Sequence, residues 1–158
     1  MLLRLATAVD NSPFIHQMRD IAVIGAMINV FHLVALSVFV GALLVLDLRF
    51  MGTGLTREPL SKVASQARPW LIGGFWALVL TGIPQLALQP VKEYYSDMFR
   101  LKMQIMAVAI IFTFVLRPRL ARADEARLGR IWGKLIGLAS IALWSGVAIP
   151  ARLIGLIG

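Results

Sequence analysis

From Ile21 to Leu46 the chain runs 26 residues without a charged side chain. A helix of about 20 residues, rising 1.5 Å per residue, crosses a hydrocarbon core roughly 30 Å thick. In lipid every backbone N–H and C=O must find its partner inside the protein, so a run of this length reads as a transmembrane helix. Three further apolar stretches follow: Trp70–Leu88, Met103–Leu116 and Leu135–Ala151. The third has only 14 uncharged residues and reaches spanning length by extending back through Met98–Lys102, with Lys102 snorkelling to the surface. No period-2 alternation appears, so strands are not expected.

These runs predict an all-α integral membrane protein in one domain, residues 1–158. Its four transmembrane helices, about 21–48, 70–89, 98–116 and 131–156, form an antiparallel up-down bundle. Ser12-Pro13 reads as an N-cap and first helical position, giving a short interfacial helix over Pro13–Arg19, and Asp20 reads as a cap for the next helix. The opening MLLRLATAV has too short an apolar core for a signal peptide.

Composition agrees. Hydrophobic residues make up 59% and charged residues 15%, with a mean hydropathy of +0.80, against about 45–50% and about 25% in soluble domains. That excludes a soluble globular enzyme and a disordered chain. The absence of cysteine removes disulfides, iron–sulfur clusters, thiolate sites and covalently attached haem. Two histidines are too few for a three-His zinc site, and no glycine-rich phosphate loop is present.

The net charge of +8 belongs to topology rather than to nucleic acid, and the mixed-charge segment Arg119–Arg130 reads as a solvated linker. Ten of the 16 Lys and Arg flank the two loops between helices one and two and between helices three and four; six lie on the other side. Basic residues collect on the cytoplasmic face, so both termini are expected outside, in the periplasm of a bacterial-type inner membrane.

His32 is the position with most chemical content. An ionisable side chain deep in a membrane helix is costly and is read first as functional. Asn29 lies three residues before it, and Gly25 and Phe39 seven residues to either side, so one face offers a ligand, a hydrogen-bond partner, a gap and an aromatic wall. A porphyrin beside an axial histidine needs such a face. The alternative is a neutral His hydrogen-bonded to a neighbouring helix; a proton relay is a third reading. Met103 and Met106 share a face, with Met98 and Met27 nearby, and thioether with imidazole suits copper or haem; such methionines also fill core gaps. Lys102, Lys134 and Arg152 could pair with a haem propionate or an anionic lipid headgroup, or mark helix ends. His16, in the interfacial segment, can be satisfied by water.

Two further patterns concern packing. Gly133 and Gly137, continued by Ser140 and Trp144, form a small-residue stripe that permits close helix contact within the chain or in a dimer. Pro84 and Pro150 are expected to kink their helices and open the outer half of the bundle. Trp70 and Trp132 read as interfacial belt residues.

The segments FHLVALSVFVGALLVLDLRFMG and MFRLKMQIMAVAII resemble the small four-helix membrane proteins of the CopD (copper-resistance D) and HemJ-type families. The resemblance covers about a third of the chain, with His32 matching the helix-one histidine and Lys102 the helix-three lysine. It implies an inner-membrane protein associated with b-type haem or with copper. Those families usually carry further membrane histidines and this chain does not, so His32 would bind alone, with a Met, or with His32 of a second copy. The expectation is therefore haem b, or copper, bound through His32 for electron transfer or metal handling, with a homo-oligomer or a membrane-complex partner. The competing expectations are a cofactor-free structural subunit and a minimal oligomeric transporter with His32 and Asn29 lining its path.

Overall fold

The computed structural model describes residues 1–122 and 125–157, with side chains for all of these except residues 2, 121–130, 152 and 154–157. The chain is an all-α membrane bundle; among the described residues there is no strand. Two short helices, α1 (Leu2–Asp10) and α2 (Pro13–Asp20), precede the long helices α3 (Ala22–Met51) and α4 (Leu60–Leu88). A single-turn helix, α5 (Pro90–Tyr95), leads into α6 (Asp97–Ile111), which continues through a wide π turn at Phe112–Leu116 into α7 (Arg117–Arg122). The last helix is α8 (Glu125–Ile157). Four segments are long and apolar enough to cross a membrane: Ala22–Met51, Leu60–Leu88, Asp97–Leu120 and Ile131–Ala151.

The helices pack in the order α4–α3–α8–α6, with α3 central and α4 scarcely touching α6. Phe39, Leu43, Leu46 and Phe50 of α3 meet Leu60, Val63, Ala67 and Leu71 of α4 and Ile136 of α8 in one dry core. Helices α3 and α4 approach closely where Gly74 of α4 crosses Phe39: a side chain at Gly74 would lie 3.0–3.1 Å from Phe39 Cβ, Cα and N. Small residues at such crossings let backbones approach where lipid supplies no hydrophobic drive. Gly52, at φ +71°, ends α3 in the left-handed conformation.

Several expectations need correction. Helix α4 begins at Leu60, ten residues before position 70, because Pro59 starts it and Leu60, Val63, Ala67, Leu71 and Gly74 bury one face at helical spacing. Asp20 does not cap α3; it closes α2, and α3 has Ile21 at its N-cap without a side-chain bond. Ser12 and Pro13 do open α2, but α1 is an additional helix. Arg19 fastens this N-terminal pair to the bundle: its Nε donates to the Leu88 carbonyl at the end of α4 (2.5 Å) and its guanidinium pairs with Asp10.

Helices α4 and α8 remain α-helical through Pro84 and Pro150. The irregular turn lies before Pro118, whose ring would clash with the Phe114 carbonyl in a regular helix; there Arg117 N–H reaches back to the Phe112 carbonyl, five residues away.

Candidate functional site

His32 sits ~15 Å along α3 from its N-terminal end, on the side turned to α4. Its Nδ1 is 2.8 Å from Thr81 Oγ1. The Thr81 hydroxyl spends its one hydrogen on the Ala77 carbonyl, 2.7 Å away, so its oxygen is left to accept. Nδ1 therefore carries the ring proton and donates, and Nε2 keeps a bare lone pair. Gly82, the next residue on α4, leaves the imidazole edge room: a Cβ there would stand 3.5 Å from His32 Cε1.

The same end of the bundle holds other polar groups. The positive charge of Lys102, on α6, reaches both His32 and Glu93. Glu93, on α5, is half-buried with Oε2 unbonded; burial pushes its carboxyl above the usual range, and Lys102 and Lys92 oppose that shift. Gln85 Nε2 is likewise buried without a partner. His32 of α3, Gln85 of α4, Glu93 of α5 and Lys102 of α6 thus lie at the same end of the bundle.

The other expected site residues are dispersed. Asn29 is exposed on α3, and the hydrogen-bond position beside His32 belongs to Thr81 instead. Gly25 borders open space. Phe39 is 0% exposed, with Trp144 edge-on at 4.6 Å and Phe75 at 6.4 Å between ring centroids, so it is a core residue. Met103 is 41% exposed and Met106 partly buried on α6. His16 is exposed. The Arg152 side chain lies outside the described residues.

A second cluster has no counterpart in the sequence reading. Asp47 of α3, Arg117 of α7 and Ser140 of α8 are each 0–1% exposed at the opposite end of the bundle. Arg117 Nη2 donates to Asp47 Oδ1 and stands 3.5 Å from the Leu43 carbonyl. One turn along, Trp144 Nε1 donates to Thr113 Oγ1 at 3.0 Å. The sequence signal was an acid and a base each closing an apolar run, at DLR and VLRP; read singly, each looks like a helix-end marker. Arg117 therefore leaves the set of loop cations.

The glycine stripe is also settled. A Cβ at Gly133 would collide with the Phe50 carbonyl, and one at Gly137 would lie 2.6 Å from Met51 Cγ and 3.0 Å from the Asp47 carbonyl. The stripe receives the last turn of α3 within the same chain.

Residues 14–157 match the profile of a family described as "Family of unknown function (DUF6644)". The chain belongs to that family. No curated protein and no solved structure matches it. The matched region runs from α2 through α8, so both polar clusters lie inside the DUF6644 domain and only α1 precedes it.

Proposed function

We propose that this DUF6644 protein is a multi-pass inner-membrane protein, both termini periplasmic, that binds b-type haem through His32 for electron transfer or metal handling. The observation that carries this reading is the state of the imidazole. Metal-bound histidines commonly donate one ring N–H to a fixed oxygen and bind metal with the other nitrogen. His32 fits that arrangement: Nδ1 is held by Thr81, itself anchored on Ala77, which leaves the Nε2 lone pair to face a metal.

The residues fit the group in a limited way. Each chain provides one such nitrogen, with Lys102 close enough to neutralise an acidic substituent. A second axial ligand would come from a methionine, Met103 or Met106, or from a second copy. Haem bound there would supply a one-electron couple; copper through His32 and thioether is the alternative.

One observation favours a cofactor-free structural subunit as second reading. The His32–Thr81 bond joins α3 to α4, as an interhelical polar contact would. A transporter path through one chain is disfavoured, since Phe39 and Leu43, 0% and 2% exposed, fill the space along α3 between the two clusters.

The test is the absorbance of protein purified after expression with haem and copper supplied. A Soret band lost in His32→Ala, while the variant still inserts, supports haem ligation. Wild-type protein without haem or copper leaves the structural-subunit reading.

A further inference from the structure

The Asp47–Arg117–Ser140 cluster has no part in that reading, yet it holds the most deeply buried charges described. Its position follows from the wide turn. In a regular helix, residues four apart drift by about 40°. The π turn at Phe112–Leu116 takes up that drift, and Ala109, Thr113 and Arg117 all stay buried along one inward seam.

The guanidinium arrives with more donors than the site can use. Of its five N–H groups, Nη2 serves Asp47 and approaches the Leu43 carbonyl, while Nε and Nη1, with three N–H between them, have no acceptor among the described residues. The Phe50 ring lies 5.5 Å from Cζ. The Ser140 hydroxyl is beside Asp47 without a well-formed hydrogen bond. Buried charged donors left unpaired are expensive. Both nitrogens are shielded from solvent, so a ligand from outside can satisfy them only if the site opens. The structure provides a weak point at which to do so: the π turn and Pro118 directly flank Arg117.

We propose that Arg117 and Ser140 form an oxyanion site that opens at the Phe112–Pro118 turn, with Asp47 as a built-in opponent of the incoming anion. A guanidinium fork matches the spaced oxygens of a phosphate or sulfate group, and the unused Nε and Nη1 hydrogens offer such a fork. The cations at this end favour an anion: Arg119 and Lys134 are exposed there and Arg68 lies on α4, while Lys62 is paired with Glu58. Asp47 is the acid facing the guanidinium. It holds Arg117 when no ligand is present and repels a second negative charge. The ligand chemistry is a tetrahedral oxyanion, either the phosphate of an anionic phospholipid in the adjacent leaflet or a free ion.

The test uses the full-length chain and thermal melting. Sodium sulfate and inorganic phosphate are titrated in detergent against chloride at equal ionic strength. In parallel, melting is compared in bilayer discs of phosphatidylglycerol and of phosphatidylcholine. Asp47→Asn should bind the oxyanion at least about tenfold more tightly than the parent, since like-charge repulsion is removed. Ser140→Ala should bind several-fold more weakly, and Arg117→Gln should not respond. The double variant Asp47→Asn/Arg117→Gln removes both buried charges, so it should fold and also fail to respond. A response in phosphatidylglycerol alone assigns a lipid headgroup; a response to free sulfate or phosphate assigns a soluble ion. If parent and Asp47→Asn ignore every probe, or if Arg117→Gln retains the response, the proposal is overturned.

Discussion

The imidazole of His32 would be costly in hydrocarbon, and one hydroxyl on the next helix meets half of that cost. Thr81→Val keeps the shape and removes the acceptor, leaving Nδ1–H unpaired. Stability should fall by about 1 kcal/mol, the scale of interhelical polar contacts in membranes, while Thr81→Ser should restore it. If His32 ligates haem, Thr81→Val should also shift the reduction potential, because the outer hydrogen bond tunes imidazole basicity. Thermal melts and a redox titration of both variants check this; an unchanged melt in Thr81→Val would show that the bond contributes nothing. His32 was legible in the sequence because an imidazole stands out in an apolar run. Thr81 was not, because threonine is ordinary in a membrane helix and its partner lies 49 positions away. Asn29 looked like the partner from spacing alone, but three residues turn the helix about 60° off, and that places Asn29 on an exposed face. Asp47 and Arg117 escaped for another reason. A charge at the end of an apolar run marks a boundary in most chains, and only the packing of α3 against α8 and the turn before Pro118 shows these two to be inside.

At the level of helices, the four spans were legible from hydropathy because lipid demands uninterrupted apolar length. Their ends were not, since charged faces such as that of α4 between Leu60 and Trp70 mix solvent-facing and core residues. The role of the α8 glycines also needed the fold. The stripe alone permits a dimer or an internal contact, and the backbone of Phe50 and the side chain of Met51 decide for the second. Gly133→Ala should therefore destabilise the bundle by roughly 1–3 kcal/mol through overpacking against a carbonyl that cannot move aside. Gly25→Ala meets nothing within 4 Å and should be neutral or slightly stabilising through helix propensity. Thermal melts compare the two, and size-exclusion chromatography should show no change of oligomeric state in Gly133→Ala. A lost oligomer with an unchanged melt would place the stripe between chains instead.

Across the whole molecule, α3 carries both polar clusters on one rod, His32 towards one end and Asp47 ~22 Å further along, with Phe39 and Leu43 sealing the space between. Such an arrangement gives each cluster its own side of the membrane, so orientation decides what each can meet. The basic residues set that orientation. With Arg117 paired inside the bundle, nine cations rather than ten remain on the side of the α3–α4 and α7–α8 connections, against six on the other. By the positive-inside rule that excess predicts those connections to be cytoplasmic. A reporter fused after Gly158 should then be active as a periplasmic fusion, and one inserted near position 125 as a cytoplasmic one. Because Arg117 is neutralised by Asp47 rather than exposed, Arg117→Gln should leave both reporters unchanged. Replacing Arg57, Lys62, Arg68 and Arg119 with glutamine lowers the count to five against six and should give mixed orientation. Cytoplasmic activity at the C-terminus of the unmodified chain would invert the assignment, bringing the His32 cluster to the cytoplasmic leaflet and the Arg117 cluster to the outer one.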